Sequence, residues 1–298
     1  MKILITGGTG FIGSLLCKNL AQRGHELTVF SRRPNKVKSI CGQDTTAIAS
    51  LKELTPENNF KAIINLAGEP IANARWTIAR KNALRDSRIG VTDQLIEFIA
   101  QAECKPAVMV SGSAIGFYGN QDDAALDEQS EYFDDFSHRL CADWEQSANQ
   151  AAGLGVRVCI LRTGLVIGEH GGFIQRMLLP FKLGLGGKMG DGRQWMSWIH
   201  RADLVAIIEM MLNSSDMKGI YNGTAPNPVT NQEFTQILAT ALKRPALLPI
   251  PGLVLKLILG EMSELLLGGQ RVMPKRLAEQ GYKFRFDALD KALNDILS

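Results

Sequence analysis

No charge of one sign dominates the sequence: 33 Lys and Arg stand against 30 Asp and Glu, a formal +3 over 298 residues. No Lys/Arg run is long enough to track a nucleic acid or an anionic membrane, so neither is expected as a partner. Cysteine is scarce. Cys17, Cys41, Cys104, Cys141 and Cys159 are odd in number and form no CxxC pair, which excludes a disulfide framework and points to reduced thiols in a cytoplasmic setting. The four histidines, His25, His138, His170 and His200, have no ligand spacing, so no metal site is expected. A long apolar run is also missing. The most apolar stretch, 247–267, is broken by Pro249, Pro251, Gly252 and Gly260 and carries Lys256, Glu261 and Glu264, which argues against a membrane span. It reads as an amphipathic helix closing over a core, with a homodimer surface as the alternative. Met1–Ile5 run straight into glycines, with no signal-peptide h-region.

What the chain does have is glycine, 29 residues, and a regular alternation of short apolar runs with helical patterns. Strands are expected at Lys2–Thr6, Glu26–Phe30, 45–50, 62–66, 107–111 and 156–161, and helices at 11–23, 79–102 and 136–152. That alternation predicts an α/β protein with a doubly wound, mostly parallel sheet covered by helices. After Thr163 the texture changes. Residues 164–192 are glycine-rich and predict long loops with one helix at 173–183. Residues 196–200 lead into a helix at 202–212 and a short strand at 219–222, and the tail from Asn231 reads as mostly helical. The expected division is a dinucleotide-binding domain from 1–163 and 195–225, and a smaller, mostly helical C-terminal lobe from 164–194 and 226–298.

The strongest motif is Thr6-Gly7-Gly8-Thr9-Gly10-Phe11-Ile12-Gly13, which follows a strand and opens a helix. One glycine allows the tight turn, Gly10 lets backbone approach a pyrophosphate at the helix N-terminus, and Gly13 lets helix and strand pack closely. The second strand ends Phe30-Ser31-Arg32-Arg33 with no acid to accept a ribose 2′-hydroxyl. Ser31 and the guanidinium of Arg32 or Arg33 could instead hold a 2′-phosphate, which favours NADP(H) over NAD(H). The plainer reading of both arginines is solvation. Leu66, Ala67 and Gly68 close the fourth strand with small residues over which a cofactor could lie. Ser111 and Ser113 close the fifth, where a hydroxyl would meet a substrate.

The chain resembles an atypical extended short-chain dehydrogenase/reductase. More closely, it resembles the NADP-binding, sugar-nucleotide-epimerase-like "epimerase family" branch with a C-terminal domain of unknown function. The resemblance rests on Asn65-Leu66-Ala67-Gly68-Glu69-Pro70-Ile71, Arg75-Trp76-Thr77, Ser87-Arg88, Asp143-Trp144-Glu145, Gly190-Asp191-Gly192, Trp198-Ile199-His200-x-x-Asp203 and Pro274-Lys275-Arg276-Leu277. It implies a Rossmann sheet, NADP(H), and a nucleotide-sugar-like substrate in a cleft beneath the C-terminal lobe.

One departure bears on the chemistry. Active extended enzymes carry Tyr-x-x-x-Lys on the helix after the fifth strand. Counting back from Glu145 puts Cys141 where the Lys should be and Ser137 where the Tyr should be. Without that pair, acid–base assistance of roughly 10²–10⁴-fold is missing. Ser113 aligns with the family's active-site hydroxyl, and Tyr118, His138 and Cys141 are the candidate substitutes, Tyr118 foremost. Glu69, Arg88 and Arg193 are expected to meet substrate. Lys81 and Arg85 share a helix face with Arg88 and read either as phosphate ligands or as a solvated face. Trp76, Trp195 and Trp198 are candidates for stacking or for core filling. His200 and Asp203 are expected to cap a helix and tie the lobes together. Two functions follow: an NADP(H)-dependent oxidoreductase or epimerase, or an NADP(H)-binding sensor or scaffold without turnover.

Overall fold

The computed structural model describes residues 1–298. Its first half is β1 (Lys2–Thr6), α1 (Phe11–Gln22), β2 (Glu26–Phe30), α2 (Val37–Cys41), β3 (Thr46–Ile48), β4 (Ala62–Asn65), α3 (Ile78–Arg85), α4 (Val91–Gln101), β5 (Val108–Ala114), β6 (Ala125–Leu126) and α5 (Phe136–Gly153). There follow β7 (Arg157–Thr163), β8 (Leu165–Gly168), α6 (Gly172–Lys182), β9 (Trp195–Met196), β10 (Trp198–His200), α7 (Arg201–Asn213), β11 (Gly219–Gly223) and β12 (Val229–Thr230). The chain closes with α8 (Asn231–Leu242), α9 (Gly252–Leu259), α10 (Glu264–Leu267), β13 (Arg271–Val272), α11 (Lys275–Glu279) and α12 (Leu289–Leu297).

Seven strands form one sheet in the order β11-β7-β5-β4-β1-β2-β3, and every pairing in it is parallel. Its inner strands are buried on both faces, which is why they read as unbroken apolar runs rather than alternations. One face packs Ile3, Ile5, Val29 and Ile64 against Leu16 and Leu20 of α1 and Leu204, Ile207 and Ile208 of α7. The other packs Leu4, Ile63 and Met109 against Leu95 and Ile99 of α4 and Ala148 of α5. Strands are added outward from β1 to β3 on one side and from β4 to β11 on the other, so the glycine turn after β1 opens at the topological switch point, where α/β sheets bind ligands.

A separate core joins Ile167, Ile174, Phe181, Trp198, Phe234, Leu238, Phe286, Leu289 and Leu293. It draws on residues of 164–194 and 226–298 and on Met196, Trp198 and Ala225 of the 195–225 segment. Asp203 ties α7 to the 282–286 segment: its carboxylate accepts from the amides of Arg285 (2.9 Å) and Phe286 (2.9 Å) and from Tyr282 Oη (3.0 Å). His200 Nδ1 caps α7 by accepting from Ala202 N at 3.2 Å.

Three expectations about local structure change. The helix expected over 79–102 is interrupted by a π-helical turn at Asp86–Gly90. β5 runs to Ala114 rather than 111, so Ser113 sits in the strand, beside Arg162 of β7. The 247–267 segment closes over a core only in its second half: Met262 is buried with Trp76, Leu84, Phe136 and Leu140, and Leu259 and Leu265 pack against them, whereas of α9 only Leu255 is buried, and Leu253 and Leu257 are 80% and 79% exposed. Pro249, Pro251 and Gly260 cut it into pieces too short to lay a continuous apolar stripe on the lobe. No helix is long and apolar enough to cross a membrane.

Candidate cofactor and substrate site

The glycine turn is built by exclusion. Gly7 has φ +73°, and a Cβ on it would stand 2.5 Å from Leu66 O; a Cβ on Gly13 would stand 2.7 Å from Gly8 Cα. Neither position can carry a side chain, so α1 starts hard against β1 and β4. Gly10 is exposed and faces open space except for Gly7 O. α1 has no side-chain cap and no acid in its first turn, and the amides of Phe11 and Ile12 find no acceptor in the chain. Free amides at a helix N-terminus, approached over a bare glycine, form an anion cradle. The Phe11 ring is clamped by Gly168, Gly171 and Gly172 and by the Arg201 guanidinium, 4.5 Å from its centroid. Ile12 packs into the core behind the turn.

Thr6 is fully buried. Its hydroxyl donates to Asn65 Oδ1 at 2.6 Å and accepts from Ala67 N at 3.2 Å. It therefore positions the Leu66–Gly68 edge rather than reaching a ligand itself. At the end of β2, Ser31 Oγ accepts from Arg33 N at 3.1 Å and lies 3.5 Å from Thr9 Oγ1. Arg33 is exposed. Arg32 reaches across to pair with Glu69, whose other oxygen takes Arg80 at 3.3 Å. The Arg32 guanidinium, seconded by Arg80, holds the Glu69 carboxyl below the usual carboxylate range. The sequence shows Glu69 only as a substrate candidate; the pairing that ties the end of β2 to α3 spans 37 residues and has no local signature.

At the end of β5, Ser113 Oγ donates to Glu145 Oε1 at 2.6 Å. Glu145 in turn receives Arg162 Nε at 2.8 Å and Nη2 at 2.9 Å. All three residues are buried. Arg162 Cζ lies over the Phe117 ring, 3.3 Å from its centroid. The neighbouring candidates are as buried as Ser113 itself, which is 4% exposed, and their reactive groups are engaged or unionised. Tyr118, expected to act on substrate, is wholly buried and donates its hydroxyl to Asn222 Oδ1 at 2.8 Å; burial raises its pKa. A phenol held this way has neither access nor acidity for proton transfer. His138 gives its Nδ1 proton to Phe117 O at 2.6 Å and stacks on Tyr132 at 3.7 Å. Cys141 is buried, and burial pushes its thiol up to about 12, which leaves it unionised at neutral pH.

The basic face is partly solvated, and two of its three cations are paired. Lys81 pairs with Glu261 at 2.6 Å and Arg85 with Asp143 at 2.5 Å, so both act as struts, the first to the C-terminal lobe and the second to α5. Arg88 alone of the three has no acidic partner and lies against Gly68. Arg193 is exposed, with its amide on Asp191 Oδ1 at 3.0 Å, apart from the Ser113 cluster in sequence and element. Trp198 is core, and Trp76 is buried edge-to-face on Phe136. Trp195 keeps some exposure and donates Nε1 to Asp123 Oδ1 at 2.8 Å.

A parallel sheet with an anion cradle at its switch point defines a Rossmann-type dinucleotide-binding protein. Residues 3–222 match the model of the NAD dependent epimerase/dehydratase family, and residues 250–296 match a domain of unknown function, DUF1731. The chain belongs to this epimerase/dehydratase family. It is 38% identical to the chloroplastic "Epimerase family protein SDR39U1 homolog" of Arabidopsis thaliana, covering 100% of this chain and 87% of the relative. Human epimerase family protein SDR39U1 (isoform2), crystallised with NADPH, superposes with a TM-score of 0.90 at 36% identity over 99% of each chain. A nucleoside-diphosphate sugar epimerase from Corynebacterium glutamicum superposes at 0.80 with 29% identity, covering all of this chain and 58% of that one.

Proposed function

We propose that the chain binds NADP(H) and acts as an oxidoreductase or epimerase of the extended short-chain dehydrogenase type on a nucleotide-sugar-like small molecule. The observation that carries this reading is the cradle: Gly7 and Gly13 admit no side chain, Gly10 is open, and the Phe11 and Ile12 amides are free. Those groups would hold the pyrophosphate, with Leu66, Ala67 and Gly68 along the strand edge. Ser31 and the unpaired Arg33 fit a 2′-phosphate, and Arg32 joins them by releasing Glu69. The likeness to the NADPH-bound human protein supports the same cofactor, and the likeness to the Corynebacterium epimerase supports the substrate class. The bound nicotinamide supplies or accepts hydride. Ser113 fixes the reacting oxygen: because its own proton goes to Glu145, it offers lone pairs and accepts a hydrogen bond from a substrate hydroxyl. Five unbridged cysteines support a cytoplasmic setting.

A second reading, an NADP(H) sensor without turnover, is favoured by one observation: Tyr118, His138 and Cys141 are all buried, with their reactive groups engaged or unionised. Titrating the protein with NADPH and then following NADPH oxidation across sugar-nucleotide and small carbonyl substrates separates the two. Turnover that Ser113→Ala removes supports the enzyme. Tight binding with no turnover on any substrate supports the sensor.

A further inference from the structure

Arg88 stands on the π-helical turn Asp86–Gly90, a helix irregularity often found at functional sites. Its guanidinium lies beneath Gly68, where a Cβ would come within 3.0 Å of Cζ, and over the Trp144 indole, 5.4 Å from the ring centroid. Its bonds within the chain go to neutral oxygens: Nη1 to Leu84 O at 3.2 Å and Ser87 Oγ at 3.4 Å, and Nη2 to Glu69 O at 3.0 Å. It enters none of the chain's ion pairs. The Glu69 carboxylate, which follows Gly68, is already shared by Arg32 and Arg80. Arg88, which reaches only the backbone oxygen of Glu69, is left without a counter-charge of its own.

A partly buried cation held only by neutral oxygens favours an anion brought from outside. Its position says which. Trp144 covers Gly112 on β5, the next residue is Ser113, and Glu145, which Ser113 contacts, follows Trp144. Arg88 thus lies on the β5 side of β4, whereas the cradle of α1 lies at the end of β1 on the other side. The anion it faces lies towards Ser113, beside the Gly68 edge, rather than at the α1 cradle.

We propose that Arg88 recognises a two-oxygen anion, a carboxylate or a phosphate, carried by the substrate next to the carbon that meets Ser113. The chain is then selective for substrates that are anionic at their reacting end. This rests on the reading that NADP(H) occupies the cradle, and it narrows the substrate class within that reading. The guanidinium's planar fork matches such an anion, and a lysine would hold it only as a point charge.

The test uses the full chain saturated with NADPH. Oxamate, its neutral analogue oxamide, and inorganic phosphate are titrated against NADPH fluorescence and thermal shift. The parent is expected to bind oxamate or phosphate and to ignore oxamide; whichever anion binds tighter names the group. Arg88→Gln is expected to weaken that anion roughly 10–100-fold while NADPH titrates it as it does the parent. Arg88→Lys falls between, and Arg85→Gln, whose guanidinium Asp143 already neutralises, leaves anion affinity unchanged. Anion binding unaltered in both Arg88 variants overturns the proposal. NADPH binding without any anion binding in the parent overturns it while leaving the cofactor reading intact. Failure of NADPH to bind the parent overturns both.

Discussion

Ser113 Oγ and Glu145 Oε1 are 2.6 Å apart, and this bond decides what the serine can do. A hydroxyl has one proton, and here it is given to a carboxylate that Arg162 also holds by two bonds. Ser113 thus orients a substrate hydroxyl by accepting from it and polarises a carbonyl only if its proton turns away. Ser113→Ala is expected to lower turnover by about 10²-fold with NADPH affinity unchanged. Steady-state kinetics beside a binding titration checks the pair of outcomes; loss of NADPH affinity would mean the residue supports the fold rather than the reaction.

Glu145→Gln leaves Arg162 buried without its counter-charge. Breaking a buried pair from one side costs about 3–5 kcal/mol, so urea unfolding should show a large loss. The double variant Glu145→Met with Arg162→Met should recover a good part of it, since no charge is then left stranded. If the double variant is as unstable as the sum of its singles, the two side chains are not coupled as described.

Gly13→Ala places a methyl 2.7 Å from Gly8 Cα. α1 must move away from β1, and the free amides of Phe11 and Ile12 move with it. Loss of most NADPH affinity is expected from isothermal titration, with circular dichroism showing that helix content persists. Gly24→Ala is a control for helix-end glycines: its φ of +77° is strained, but no atom lies within 4 Å of the added methyl, so stability falls modestly and NADPH binding stays.

His200 gives a pH dependence. Its Nδ1 must be unprotonated to cap α7, and burial lowers its pKa below 6.5, against the opposing pull of Asp295 and Asp203. As pH falls through 6.5 the unfolded chain takes up the proton first, so folding stability declines below that value and gains nothing above it. The midpoint of thermal unfolding, followed from above pH 6.5 down to roughly pH 5, should fall less steeply in His200→Asn, which keeps a capping side chain.

Where the chemistry is local, the sequence already speaks. The β1 turn and the His200 cap of α7 are written in neighbouring residues, and the structure shows both; the end of β2 carries no acid of its own, yet Arg32 pairs there with Glu69, and the partners of Asp203 lie 79 to 83 residues away. What is not legible depends on distant partners. β6 pairs only with β13, and β8 only with β10; each is too short to show a period. Lys81 and Glu261 are 180 residues apart, so a strut between lobes looks like a solvated charge. Tyr118 follows the serines as an active-site tyrosine would, yet Asn222 on β11 takes its hydroxyl. The apolar letters of 253–258 suggest burial, but proline and glycine breaks leave all of them except Leu255 outside.

The most direct test of the account is to titrate the parent protein with NADPH and NADH under identical conditions, and again after Arg33→Ala. A 2′-phosphate held by charge-assisted bonds is expected to give NADPH an advantage of roughly 10–100-fold, and Arg33→Ala should erase much of it without weakening NADH. Equal affinity for the two cofactors, or an advantage that survives the substitution, would contradict the role assigned to the end of β2. Binding of neither would contradict the cradle itself.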